Sequence, residues 1–357
     1  MSALPPVLML SFGGPENPAE IMPFLEDVTR GRGIPRKRLE GVAEHYRHMG
    51  GRSPINEITR RQAEALRRKF LAAGAPRAVY VGQRHSAPFI EETLRRMAQD
   101  GVTSAVGFCT AAYRSEASLE RYVAAVENAR ARLGPAAPRV DFVGPWFDHP
   151  LFVAALAARI RELAAPEDAP TVFTAHSIPC AMAKESTYVE ELRATAALVA
   201  AARGLRDWTL AFTSRSGRPT DAWLEPDVSR VIRAKAAQGV TALTMVPLGF
   251  VADHVEVLYD LDVEAKACAD DVGVTLHRAA TVGDHPLFID MIADAVEAGA
   301  PSDPALGRSS VATVFRDGRR VAKVGADSRV CFCFPDDRNA PCLRPAATPG
   351  RPPASVE

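Results

Sequence analysis

Eight short apolar runs recur along the chain, at 7–12, 78–82, 104–109, 140–143, 171–174, 210–213, 242–246 and 274–277. Most are rich in β-branched or aromatic residues, as strands buried on both faces require. Amphipathic stretches of helical period lie between them, at 55–70, 89–100, 119–133, 151–163, 188–202 and 227–238. Strand and helix alternating at this spacing predict parallel sheets with crossover helices. The ends of the stretches agree. Ser53-Pro54 offers a capping hydroxyl before a proline at the first helical position, and Gly74 and Gly101 stand where helices end on a left-handed residue.

A short echo suggests that the pattern runs twice. Asp148-His149-Pro150-Leu151-Phe152 returns as Asp284-His285-Pro286-Leu287-Phe288. Each copy follows the fourth run of its half and opens a helix. Two related four-stranded halves are therefore expected, 1–145 and 146–298, with 299–357 as an extension. In the extension a hairpin is expected around Asp317-Gly318, and disorder is expected after Leu343, where Pro, Ala, Thr and Gly dominate.

A chain of 357 residues with 47% apolar content can bury two cores. Lys plus Arg and Asp plus Glu number 43 each, which argues against a protein that coats nucleic acid. The first ten residues lack the basic flank of a secretory signal, and no apolar run reaches the length of a membrane span. A cytoplasmic protein, not integral to the membrane, is expected, so its six cysteines should be thiols or metal ligands rather than disulfides. Gly13-Gly14-Pro15 follows the first strand, but neither a dinucleotide fingerprint nor a phosphate loop is present. NAD, FAD and ATP have no motif behind them.

Three groups of residues can carry chemistry. His176 ends the apolar run of Phe173-Thr174-Ala175 and so sits at the C-terminal edge of a sheet, where open α/β folds bind ligands. An imidazole there is either a proton acceptor or a structural histidine bonded to its own loop. Glu256, Asp260 and Glu264 follow the seventh run at steps of four. On an α-helix they form one slanting stripe, advancing about 40° per step. Like charges at this spacing cost a helix stability, and apolar residues flank the stripe on both sides. A partly buried conduit for protons or a divalent cation accounts for this, and an amphipathic helix with a charged edge is the plainer alternative. Oxygen and imidazole donors suit ferrous iron in transit. Finally, Cys331, Cys333 and Cys342 cluster near the C-terminus. They fit a [2Fe–2S] cluster with a fourth thiolate from elsewhere (Cys109 first among the candidates, then Cys180 or Cys268), a zinc knuckle, or an unliganded tail.

Several segments together resemble the ferrochelatases, which insert ferrous iron into porphyrins at the end of haem synthesis. They are Leu10-Ser11-Phe12-Gly13-Gly14-Pro15, Thr29-Arg30-Gly31-Arg32, Gly50 to Ile55, Thr174 to Pro179, Ser214 to Gly217 with Trp223 to Pro226, and Gly249 to Glu256. The likeness is to the actinobacterial type, which acts on coproporphyrin III and often carries a C-terminal [2Fe–2S] cluster. It implies two Rossmann-like, chelatase-type domains, each a four-stranded parallel sheet flanked by helices, with the porphyrin in a cleft. His176 and Glu256 match the family's metal-site pair, and Asp260 and Glu264 continue its acidic path. Arg30 matches a propionate-binding arginine. His45, Tyr46, Ser53 and Tyr122 match porphyrin contacts. Phe12 occupies a position where some relatives place a metal-ligating tyrosine, which phenylalanine cannot replace, and the loop around Ser216 departs from the commoner glycine–proline pattern. The implied partners are porphyrin, ferrous iron and, transiently, other haem-synthesis enzymes. Protoporphyrin IX as substrate, or a haem carrier without turnover, are the alternatives.

Overall fold

The computed structural model describes residues 4–299 apart from 117 and 217–220, together with 312–316 and 319–324. Eight strands form two parallel sheets: β1 (Val7–Ser11), β2 (Val79–Gln83), β3 (Ser104–Cys109) and β4 (Arg139–Phe142) in one, β5 (Thr171–His176), β6 (Trp208–Thr213), β7 (Ala242–Val246) and β8 (Thr275–Arg278) in the other. Their orders are β2-β1-β3-β4 and β6-β5-β7-β8, the same topology twice. All eight expected strands are present to within two residues at either end. The doubly wound α/β class is therefore the observed one, and both sheets lie in one unit, Met1–Arg308. A second unit, Ser309–Glu357, holds the antiparallel pair β9 (Ala312–Arg316) and β10 (Arg319–Val324), which flank the expected hairpin turn. Asp317-Gly318 itself, and the tail after Leu343, lie outside the described residues.

The glycine signals hold. Helix Ile55–Ala72 ends with Gly74 at φ +70°, its N–H bonded to Leu71 O and that of Ala75 to Phe70 O. Helix Ile90–Gln99 ends the same way at Gly101, so the last carbonyls of both helices are satisfied. The Ser53 cap is a correction. Its hydroxyl bonds no amide of the helix, whose first residue is Ile55. Instead Ser53 is buried beneath Gly14, where an added Cβ would come within 2.7 Å of the Ser53 Cβ. Two further helices, Ile21–Val28 and Arg36–His48, have no counterpart among the expected elements. They bring Phe24, Leu39, Ala43 and Tyr46 together in a small cluster that also contains Val255.

The echoed pentapeptides do the same work in each half. His149 caps helix Pro150–Arg161 by accepting from Leu151 N at 3.3 Å, and His285 caps helix Pro286–Ala298 by accepting from Leu287 N at 3.2 Å. The two helices pack together through Phe152 and Phe288, with ring centroids 6.1 Å apart. Trp146 lies against both, and stacks on Phe108 of β3 at 5.5 Å. One core therefore runs between the halves. Truncating a ring such as Phe152 should cost roughly 3–5 kcal/mol.

Both capping histidines must be neutral to accept an amide proton. Burial holds His149 down to about 4 and pulls His285 down as well. An unfolded histidine takes up its proton near pH 6.5. The unfolded chain therefore binds more protons in that interval, and stability should fall as pH drops from about 6.5 towards 4. His149→Asn keeps a capping acceptor without the titration. Urea unfolding of wild type and variant at pH 7 and pH 5 should show a smaller loss in the variant. An equal loss in both would remove His149 as a source of acid sensitivity.

Candidate active site

His176 is the last residue of β5, in register with Thr213 of β6, so its side chain stands at the carboxyl edge of the second sheet. Its carbonyl accepts from the buried Tyr188 hydroxyl at 2.9 Å. Its Nδ1 lies 2.5 Å from Ser177 O. A backbone carbonyl can only accept, so Nδ1 carries a proton, and in the neutral imidazole the lone pair is on Nε2. That Nε2 lies 3.7 Å from Glu256 Oε2, and both side chains are partly open to solvent.

Glu256 arrives there by way of the loop after β7. Gly249 donates to Thr174 O at 2.9 Å, and an added Cβ would come within 2.6 Å of the Ala175 Cβ. Only a residue without a side chain lets this loop press against β5 one step before His176. His254 then caps the helix start, its Nδ1 accepting from Val257 N at 3.4 Å. Burial keeps it below its ordinary pKa, against the pull of Glu256. Arg278 at the end of β8 clamps both sides of this helix start. It donates to Asp253 at 3.0 Å and through two nitrogens to Asp262 at 2.5 and 2.8 Å, while Thr281 donates to the other Asp253 oxygen. Neither His254 nor Arg278 stands out in the sequence as a contributor. His254 lies inside a recognised segment, while the role of Arg278 depends on a long-range pairing.

The carboxylate stripe has a different geometry from the expected one. Leu258–Ala265 is a π-helix, closed by i→i+5 bonds. Each residue then turns less about the axis, so the advance of about 40° per step expected of an α-helix does not hold from Asp260 to Glu264. Asp260 accepts from the Ser214 hydroxyl, and Ser214 is the only described non-glycine residue at positive φ, +61°. Such a backbone costs of order 1–3 kcal/mol. Burial pushes the Asp260 carboxyl up to about 7; the Ser214 bond opposes the rise, and the charges of Glu256 and Glu264 add to it. A polar pocket of about 40 Å³ is lined by Asp260, Glu264, Ser214 and Asp227, close to one water's share of roughly 30 Å³. It adjoins a cavity of about 520 Å³ lined by Ser177, Trp223, Leu224 and Asp227, which includes neither His176 nor Glu256.

The other expected residues divide. Tyr46 is buried beside Phe24, its hydroxyl pushed up by burial and by the charge of Glu256. Phe12 packs on Ile55, Ile58 and Ala252 and lies 4.6 Å from the His85 ring. Tyr46 thus lies within reach of the Glu256 charge, and Phe12 packs on the loop that leads to Glu256. His45 stacks face to face on Tyr259 of the π-helix at 3.7 Å, so one ring face is taken. Tyr122 is buried under the Arg84 guanidinium, 5.3 Å from its ring centre. Arg30 is exposed and paired with Asp27 at 2.6 Å. Cys109 is a packing residue in the cluster of Leu8, Leu10 and Tyr122, and burial holds its sulfur as the thiol. That setting does not fit a cluster ligand. Cys331, Cys333 and Cys342 lie outside the described residues, as does 217–220 of the loop after β6. Among the described residues no three His, Cys, Asp or Glu side chains converge on one metal position, and no helix is long and apolar enough to cross a membrane.

The family model for Ferrochelatase matches residues 5–300. The chain belongs to the ferrochelatase family. Among its relatives, the coproporphyrin III ferrochelatase of Mycobacterium avium is 42% identical over 344 residues, covering 95% of this chain and 96% of the relative. That of Mycolicibacterium vanbaalenii is 44% identical over 300 residues, covering 82% and 88%. A ferrochelatase of Rhodopirellula baltica is 42% identical over 306 residues, covering 83% and 87%. In fold alone, the chain resembles a multi-domain Deinococcus radiodurans protein with structural similarity to chelatases, at TM-score 0.53 and 17% identity over 84% of this chain and 56% of the other. The cobalt complex of a Bacillus subtilis sirohydrochlorin chelatase gives TM-score 0.50 and 13% identity over 82% and 93%.

The Gly249 contact holds the loop that leads to Glu256 against β5. Gly249→Ala should therefore part the loop from β5 and lower kcat for iron insertion at least tenfold, with the fold retained by circular dichroism. An unchanged kcat would show that the close approach does not set the site.

Proposed function

We propose that this protein inserts ferrous iron into coproporphyrin III with release of two protons, and that His176 and Glu256 carry the reaction. The observation that bears most weight is their 3.7 Å approach at the edge of the second sheet, with Nδ1 of His176 engaged by Ser177 O and Nε2 turned towards Glu256. The names of the mycobacterial relatives support the substrate. The repeated strand order supports a division into domains 1–145 and 146–298 around the site.

A free porphyrin holds two inner protons, which must leave as Fe²⁺ enters. His176, as neutral imidazole, accepts them in turn from the pyrrole nitrogens, handing the first to the acidic path before it takes the second. Glu256 offsets the positive charge that builds as iron and imidazolium share a small volume. Glu256 supplies an oxygen donor suited to Fe²⁺, and the ring nitrogens supply the rest of its coordination. Iron is substrate here and does not stay. Phe12 offers the metal no donor atom, and packing of the ring against it helps hold the macrocycle bent, so that binding energy lowers the barrier. The acidic path then takes protons to the surface through Asp260, whose carboxyl titrates near neutrality, and Glu264, which is exposed.

His176→Ala should lower kcat at least 100-fold while porphyrin still binds, as measured by fluorescence quenching. Glu256→Gln should lower kcat more than it raises the porphyrin Kd. Porphyrin that binds but is never metallated by the wild type would make the protein a carrier instead.

The path makes a separate prediction. Below about pH 7 the Asp260 carboxyl already holds a proton and cannot take another. Wild-type kcat should therefore fall as pH drops from 8 to 6. Asp260→Asn should have a lower kcat at pH 8 and should lose that limb of the profile. A variant with the wild-type profile would remove Asp260 from the proton route.

A further inference from the structure

His176 and Glu256 both belong to the second half of the fold, yet the peptide that ties their loops together is also gripped from the first half. Leu248 C=O and Gly249 N–H form one trans peptide unit, so they point in opposite directions. On one side the amide donates to Thr174 O of β5 at 2.9 Å. On the other, the carbonyl accepts from the Tyr113 hydroxyl at 3.1 Å. Tyr113 lies in the loop after β3, at the carboxyl edge of the first sheet. It is 4% exposed, and burial pushes its hydroxyl pKa up, so the group stays a donor. Helix Tyr188–Arg203 of the second half holds this loop in turn. Its Glu191, also buried, accepts from Arg114 N at 2.7 Å and from the Thr187 hydroxyl at 2.6 Å. One turn earlier in the same helix, Tyr188 donates to His176 O, and its ring meets that of Tyr113 edge to face, with centroids 6.3 Å apart.

Packing alone asks for no hydroxyl at position 113, since the ring fills the core in either case. The hydroxyl adds a donor for a buried carbonyl that directly precedes the close approach of Gly249 to Ala175. The buried Glu191 carboxylate is likewise costly, and what it receives in return is the backbone of the residue after Tyr113. We infer that Tyr113 is a positioning residue for iron insertion: from the first half, its hydroxyl holds the peptide between Leu248 and Gly249 so that the loop carries Glu256 towards His176. The inference rests on the function proposed above. Tyr113 acts through that peptide and takes no part in the chemistry. The approach of the reacting pair then depends on how the two halves meet, although neither member of the pair comes from the first half.

The test uses the full chain with coproporphyrin III and Fe²⁺. Tyr113→Phe removes one oxygen and keeps the ring. It should lower kcat about fivefold, the scale of one hydrogen bond. The porphyrin Kd from fluorescence quenching should stay within about twofold of the wild type. Hydrogen exchange followed by mass spectrometry should speed up in the segment that contains Gly249, and not in the strands of the first sheet. Tyr113→Phe combined with Gly249→Ala should turn over about as fast as Gly249→Ala alone, because both changes act on one peptide. Glu191→Gln weakens the hold on Arg114 N. It carries the test if Tyr113→Phe does not fold, and should then lower kcat about twofold. An unchanged kcat, with or without a lower melting temperature, would overturn the inference and make Tyr113 a packing residue. So would unchanged exchange around Gly249, or losses that multiply in the double variant. If the wild type itself leaves the porphyrin unmetallated, the proposed function fails and the inference with it, whereas failure of the inference alone shows only in the variants.

Discussion

The backbone contact between Gly249 and the end of β5 is the joint on which the site depends. A parallel sheet brings β5 and β7 side by side, but that alone leaves the loops beyond them free to diverge. The amide of Gly249 bonded to Thr174 O, with no Cβ to hold the chains apart, makes the loop after β7 follow β5 to its last residue. From there the Arg278 clamp on Asp253 and Asp262 fixes both ends of the turn into the π-helix. Glu256 lies between those two aspartates in sequence, so the place of its backbone relative to His176 is set by these ion pairs and the Gly249 contact. Sites assembled on such supports hold geometry better than sites on free loops.

The π-helix also gives a physical reason for tolerating three carboxylates in a row. A wider turn carries Asp260 and Glu264 and has a water-sized pocket beside them. The stored cost, in the Ser214 backbone and in the burial of Asp260, yields a group that exchanges protons near neutral pH. Strain and a shifted pKa at one place are features expected of a working path.

Much of this is legible in the sequence. β3 and β7 can be placed to the residue, because buried strands read as continuous apolar runs between turn residues. His176 is placed correctly because the position of a residue at a strand end depends on that run alone. The steps of four in Glu256, Asp260 and Glu264 are visible, but their i→i+5 winding is not, since hydropathy repeats look alike on α and π turns. Helix Arg36–His48 is hidden because Leu39, Ala43 and Tyr46 form a thin apolar stripe in a strongly charged segment. Ser53 reads as a cap because Ser-Pro at a helix start usually is one, whereas tertiary packing under Gly14 takes its side chain.

The central claim is that a porphyrin lies with its inner nitrogens facing the paired His176 imidazole and Glu256 carboxylate. A crystal structure of the protein with coproporphyrin III bound tests it most directly. The account predicts a pyrrole nitrogen within hydrogen-bond reach of His176 Nε2, about 2.6–3.2 Å, with Glu256 on the same face of the ring. A macrocycle seated instead in the 520 Å³ cavity beside Trp223, or anywhere that leaves the His176–Glu256 pair in open water, would contradict it.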